Sequence, residues 1–193
     1  MRVVTALHER PRGRVEIDLD GVRWRLVPAD AVVRAGLAVG RALDRETARA
    51  LGRELRRAEA LGVAVRALRH RDRSRKGLEE RLAARAVPPS AREDAIAALE
   101  RSGVLDDTRV ATSRAHALAG RGYGDTAIRA ALEAERLYGE VVAEAIAGLE
   151  PEAERARRLF ERRGGGAKAL RWLAARGFET AGWDEGSEFA NDV

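Results

Sequence analysis

The chain has 193 residues and no cysteine, enough for one large domain or two small ones and incompatible with a disulfide framework or a thiolate metal site. Apolar residues make up 45% but aromatics only 4%, so aliphatic side chains and alanine must pack the core of a folded, soluble protein. The net charge of +5 conceals 36 basic residues, all but Lys76 and Lys168 being arginine, the cation that forks onto phosphates and carboxylates and so suits polyanionic partners.

The opening stretch, MRVVTALHERPRGR, lacks the apolar core of a signal peptide. No later run approaches the roughly 18–20 apolar residues that cross a bilayer, so a cytoplasmic protein with no membrane role is expected. Residues 3–7 can form a strand. Residues 14–27, RVEIDLDGVRWRLV, alternate strictly around Asp20-Gly21, a two-residue turn that signals a β-hairpin. That turn predicts Asp18 opposite Arg23 and Glu16 opposite Arg25 on the outer face, with Ile17 opposite Trp24 on the inner one. The charges then read as cross-strand partners. A short helix over 28–35 should stop at Gly36, and Asp44 should cap a longer helix to about Leu61.

From Val63 onward the pattern is helical and repeats. Leu82, Leu132 and Leu173 align; Leu68, Leu118 and Leu159 precede them, and Val87, Leu137 and Phe178 follow. Ile96 with Ile146 and Leu99 with Leu149 extend the match at a constant offset. An internal repeat of three-helix units is expected. The chain then reads as an N-terminal hairpin and short-helix segment (1–43) and a connecting helix (44–62). Three repeats follow (63–105, 106–150 and 151–193), the last degraded and ending in an acidic tail. In the first repeat the helices fall near 63–71, 74–85 and 90–102, broken at Arg73-Ser74 and at Pro88-Pro89. The second breaks at GRGYGD and at Tyr138-Gly139. The third breaks at Gly164-Gly165-Gly166 and Gly177, and its third helix, around Trp183 and Phe189, is weakened by Gly182 and Gly186. The fold class is mainly α: tandem three-helix repeats after a small β-containing segment.

Asp106 and Asp107, in SGVLDDTRVA, lie between two predicted helices. Aspartate there accepts a free backbone N–H and suits the helix dipole, so both read as caps, with Arg109 in reach as an ion-pair partner. His8, His70 and His116 lie far apart on different elements, and no nucleophile has an evident base. No metal, no cofactor and no enzymatic activity are expected.

At this point the residues resemble a known family. GVLDDTRVA followed by RGYGDTAIRAAL is similar to the RecX family, bacterial regulators of the RecA recombinase. That family's middle repeat reads G-x-L-[DN]-D-x-R-[FY]-A and then R-G-[YF]-G-x-x-x-I-x-x-x-L. The chain supplies Gly103, Leu105, Asp106, Asp107, Arg109 and Ala111, then Arg121, Gly122, Tyr123, Gly124, Ile128 and Leu132, and departs at Val110, where an aromatic is usual. RDRSRKGLEERLAARAV resembles the first repeat, with Gly77 in place of an acid, and ALRWLAARGF resembles the third. The likeness covers roughly residues 63–180. It implies a binding function without chemistry: lodging in RecA filaments on single-stranded DNA and opposing their growth or stability. With no sustained heptad seam in the sequence, a monomer is expected.

The candidate contacts with RecA or with single-stranded DNA are two cationic groups. Arg69, Arg71, Arg73, Arg75 and Lys76 belong to the first repeat; Arg162, Arg163, Lys168, Arg171 and Arg176 belong to the third. Arg121 and Tyr123 join them from the motif, Tyr123 as a base-stacking ring or as a core plug. Two rival readings remain. RSRKGLEERLAARAVPPSAREDAIAALERSGV can be taken as a helix-turn-helix segment of a transcriptional regulator, and an array of this kind also serves as an interaction scaffold for another client.

Overall fold

The structure, a computed structural model, describes residues 2–69 and 73–180. Two compact units divide it, Met1–Arg71 with Leu78–Val104 and Asp72–Gly77 with Leu105–Val193. The first opens with strands β1 (Arg2–Arg10), β2 (Arg14–Leu19) and β3 (Val22–Pro28), joined later by the short β4 (Ala42–Leu43) in an antiparallel sheet of order β3-β2-β1-β4. Asp20 and Gly21 both take positive φ, 53° and 80°, the geometry of a tight two-residue hairpin turn. β1 pins that turn, since Asp20 accepts from the Val3 N–H at 2.9 Å and the Gly21 N–H donates to Thr5 Oγ1 at 2.9 Å.

The predicted hairpin register holds at Asp18 opposite Arg23 and then slips. Ile17 faces Arg25 and Glu16 faces Leu26, because a bulge at Ile17/Asp18 adds one residue to β3. A bulge turns the strand beyond it over. Val27 thereby enters the core at 1% exposure while Leu26 is left outside. Glu16 is buried under two guanidiniums, Arg10 at 2.9 Å and Arg23 at 2.7 Å, and Asp18 takes His8 at 3.1 Å. The charges are cross-strand partners with different pairings from those predicted.

Helix α1 (Ala29–Arg34) ends at Gly36 with φ 64°. Helix α2 (Arg45–Leu68) starts where Asp44 accepts the Thr47 N–H at 2.7 Å. The predicted break near Leu61, between connecting helix and first repeat, is absent: α2 runs on for 24 residues. Gly62 alone costs a helix only about 1 kcal/mol, and tertiary packing outweighs that. α2 packs against α4 (Pro89–Arg101), and both bury alanines, Ala60 and Ala64 on α2 and Ala91 and Ala95 on α4, small side chains that allow close approach. α3 (Arg75–Ala83) buries Leu78 and Leu82.

The second unit continues with α5 (Asp107–Gly120), α6 (Asp125–Ala134), α7 (Glu140–Ala147), α8 (Glu152–Arg162) and α9 (Gly166–Ala175). The aligned leucines Leu82, Leu132 and Leu173 are fully buried. Each also accepts, through its carbonyl, the N–H of the aligned residue five places on: Val87 at 3.2 Å, Leu137 at 3.1 Å and Phe178 at 3.2 Å. The residue before each acceptor turn closes, Ala86, Arg136 or Gly177, has φ between 56° and 78°. α3, α6 and α9 therefore end in the same left-handed capping turn, and the fold is a tandem helical repeat. The segment predicted as the third helix of the last repeat, with Trp183 and Phe189, lies outside the described residues.

These turns are also where consecutive repeats meet. The Ser74 hydroxyl, which accepts the Gly77 N–H at 3.1 Å to cap α3, donates to the Glu135 carbonyl at 2.7 Å. One repeat later the Gly124 N–H donates to the Arg176 carbonyl at 2.9 Å and the Thr126 N–H to that of Gly177 at 3.2 Å. A Cβ at Gly124 would stand 2.3 Å from the Gly177 carbonyl oxygen, and one at Gly177 2.6 Å from the Ala127 Cβ. The two acids of SGVLDDTRVA divide the same labour. Asp106 caps its own helix through the Arg109 backbone N–H at 2.9 Å, so the bond goes to the main chain of Arg109. Asp107 instead caps α3, accepting the Arg75 N–H at 2.7 Å. Glu152, first residue of α8, repeats that role on α6 through the Asp125 N–H at 2.6 Å.

Gly124→Ala is expected to destabilise the protein by about 3 kcal/mol or more, since the overlap is with backbone that cannot rotate away. Gly120→Ala, at a helix end with open space around it, should be neutral or raise stability by up to about 1 kcal/mol; urea unfolding midpoints compare the two. A second expectation concerns acid. The Arg10 hydrogen bond, with the charges of Arg10 and Arg23 added, holds the Glu16 carboxyl below its ordinary range. Its stabilisation is therefore complete above the unfolded pKa and disappears as pH falls through the folded one. Melting temperatures of wild type and Glu16→Gln should differ at pH 7 and converge as pH is lowered toward 3.

Candidate functional site

Within the second unit, the turn after α5, the end of α8 and one face of α9 enclose an open groove of about 630 Å³. Its cations are Arg121, Arg162, Arg163, Lys168 and Arg176, with Trp172 and Leu159 as apolar wall, and among the described residues no carboxylate lines it. Gly122 shapes the floor. It carries φ 78° in the turn that ends α5, and a Cβ there would touch Leu159 and Trp172 at 3.6 Å. Trp172 therefore lies directly on the turn.

The rings and guanidiniums are stacked. Arg163 sits 3.6 Å from the Trp172 ring centre, and Arg176 sits 4.7 Å from that ring and 4.8 Å from Tyr123. Arg121 completes the series 5.6 Å from Tyr123, and Arg176 also donates to the Arg121 carbonyl at 2.8 Å. Such stacking holds a charged head in place. Tyr123 is half-buried and packs on the core of Val110, Ile128, Leu132 and Leu137, so it plugs the core while its ring carries two arginines. Arg162 and Lys168 are exposed and make no hydrogen bond or ion pair among the described residues.

Arg155 contrasts with these. It is 6% exposed and spends every donor direction inside the protein: Nε to the Glu150 carbonyl at 2.9 Å, Nη1 to the Tyr123 carbonyl at 2.9 Å, and Nη2 to Asp125. The planar guanidinium spreads its donors over three nitrogens to reach these separated acceptors, whereas an ammonium's donors all leave one nitrogen. In the sequence it sits in a cationic stretch indistinguishable from its solvated neighbours. The signal was its position, three residues into α8, where the preceding repeat has the buried Val110 three residues into α5.

The remaining predicted contacts are not gathered in this groove. Arg171 is exposed on α9 but does not line it. Arg69 is the exposed C-cap of α2. Arg73 is half-buried, with its Nε shut away from solvent and lacking a hydrogen-bond partner. Arg75 is half-buried and Lys76 exposed in the first turn of α3. Arg71 and His70 lie outside the described residues. Trp172, absent from the predicted contacts although it stands in the third-repeat motif, is the centre of the groove. Among the described residues no cluster of three or more His, Cys, Asp or Glu has the arrangement to hold a metal ion, and no helix is long and apolar enough to cross a membrane.

The fold and the groove together define a helical-repeat protein with an arginine-rich surface groove. Comparison with known proteins places that description. The chain is 40% identical over 130 residues to the regulatory protein RecX of Xanthomonas axonopodis pv. citri (strain 306), covering 62% of this chain and 78% of that one. It is 38% identical over 130 residues to the regulatory protein RecX of Stenotrophomonas maltophilia (strain K279a), covering 62% and 77%. A crystal structure of regulatory protein RecX superposes with a TM-score of 0.77 at 21% identity over 93% of this chain and 96% of that one. RecX from Lactobacillus salivarius superposes at 0.56 and 19% identity over 64% and 89%. A scan of protein-family models finds no match. The chain belongs to the RecX family of regulatory proteins.

Replacing Arg155 tests the buried fork. Arg155→Ala leaves Asp125 and two carbonyls without their donor and should cost about 3–5 kcal/mol. Arg155→Lys keeps the charge without the fork and should still cost about 2 kcal/mol, both read from urea unfolding.

Proposed function

We propose that this chain regulates RecA, binding RecA filaments on single-stranded DNA and limiting their growth or stability. Recombinase and ATPase activity then fall, in recombination, DNA repair and the SOS response of a bacterial cytoplasm. Family membership supports the partner, and the groove around Trp172 supports the chemistry. Five cations with no carboxylate lining the groove among the described residues suit the phosphates of filament-bound DNA or an acidic face of RecA, and phosphate contacts make binding fall steeply with salt. The action is that of a monomeric binding protein and needs no reaction at the site.

Purified protein added to RecA on single-stranded DNA, with ATP hydrolysis followed over time, tests the reading. Inhibition at substoichiometric amounts is expected. Tight duplex binding with sequence preference and no effect on hydrolysis would instead favour a transcriptional regulator, and neither effect would leave a scaffold with another client. Arg162→Glu with Lys168→Glu removes two exposed cations that hold no partner among the described residues. The double variant should need on the order of tenfold more protein for the same inhibition and show a weaker salt dependence. Unchanged inhibition would take the groove out of the contact surface while leaving the RecA partnership intact.

A further inference from the structure

A second cationic face lies in the first unit, on α2, outside every residue group considered so far. Arg45, Arg49, Arg53 and Arg56 line one shallow open groove along the helix, with Ala48 and Gly52 between them. All four arginines are exposed, and none makes an ion pair or hydrogen bond among the described residues. Among the described residues no carboxylate and no aromatic residue lines the groove. With a rise of about 1.5 Å per residue, the four guanidiniums form a row about 16 Å long. Four like charges held in a line repel one another; exposed Glu46 and Glu59 stand three residues from Arg49 and Arg56 on the same helix but do not line the groove, and an anion of matching linear form relieves the row.

We propose that this face of α2 binds the phosphodiester backbone of nucleic acid, directly and without RecA. Three features point to this ligand rather than to a folded acidic surface. The charges follow one dimension, as phosphates do along a strand. The cations are arginines, which take phosphate oxygens two at a time. The residues between the arginines, Ala48 and Gly52, are small, and the Arg56 guanidinium lies over Gly52, 3.5 Å from where a Cβ would stand, so a phosphate approaching there meets a guanidinium. The lack of an aromatic ring means that bases are not stacked here, so the contact is indifferent to sequence.

The test uses the full chain and a fluorescently labelled oligothymidylate of thirty nucleotides, with anisotropy titrations between 50 and 300 mM KCl and no RecA present. Wild type is compared with the variant carrying Arg45→Gln, Arg49→Gln, Arg53→Gln and Arg56→Gln, since glutamine keeps helix propensity; circular dichroism checks the fold. Each lost phosphate contact flattens the plot of log affinity against log salt by about 0.7 on single strands and 0.9 on duplex. The fourfold variant should therefore be shallower by about 3 and weaker on the order of tenfold or more at 50 mM KCl. Should it fold poorly, the Arg49→Gln, Arg53→Gln pair should show about half that change in slope. A matched duplex arm gives the preferred form of nucleic acid. Equal slopes and affinities for wild type and variants overturn the proposal, as does a wild type that binds no oligonucleotide. Equal binding of polyglutamate and oligothymidylate by wild type overturns it in favour of an acidic protein surface. None of these outcomes bears on inhibition of RecA hydrolysis, which is measured separately.

Discussion

The backbone junction between successive repeats governs the second unit. A helix ending in a left-handed turn offers carbonyls that its own helix cannot use, and the start of another helix offers N–H groups in the same predicament. Here the two needs meet: Gly124 and Thr126 donate to Arg176 and Gly177, as the Ser74 hydroxyl does to Glu135. The meeting is close enough that Gly124 and Gly177 have no room for a side chain toward each other. With the end of α9 held against the start of α6, Arg176 comes to lie between the Tyr123 and Trp172 rings. The cationic groove is a consequence of that junction.

Acidic residues at the first position of a helix strengthen the same arrangement. Asp107 reaches from α5 to the first N–H of α3, and Glu152 from α8 to the first N–H of α6. A carboxylate at a helix start ordinarily serves its own helix; at these two positions it serves a neighbour. One side chain then links a repeat to the next through a charge-assisted bond. This explains why two adjacent aspartates are useful at 106 and 107: one is needed for each helix.

Arginine does three kinds of work in this chain, and surroundings decide which. Buried Arg155 is a structural fork on two carbonyls and a carboxylate. Arg163 and Arg176 are held on rings, where the charge stays at the surface in a fixed place. Arg162, Lys168 and the row along α2 face solvent with no hydrogen bond or ion pair among the described residues, and these are the cations on which the proposed polyanion contacts rest.

Periodicity made much of this readable in advance. The buried leucines Leu82, Leu132 and Leu173, the Asp20-Gly21 turn and the caps at Asp44 and Asp106 follow from local rules: apolar spacing, φ preference and the reach of a short carboxylate. RecX motifs named the family from the same strings. Tertiary structure decided everything that depends on a distant partner. The bulge that faces Ile17 with Arg25, and α2 running unbroken through Gly62, reflect packing against neighbours absent from any local window. So do the transfer of Asp107 to α3, the burial of Arg155, and Trp172 as the centre of the groove. A sequence determines which residues can turn, cap or pack; only the folded chain determines which of many equal arginines meets an acceptor, because that choice is made by atoms tens of residues away.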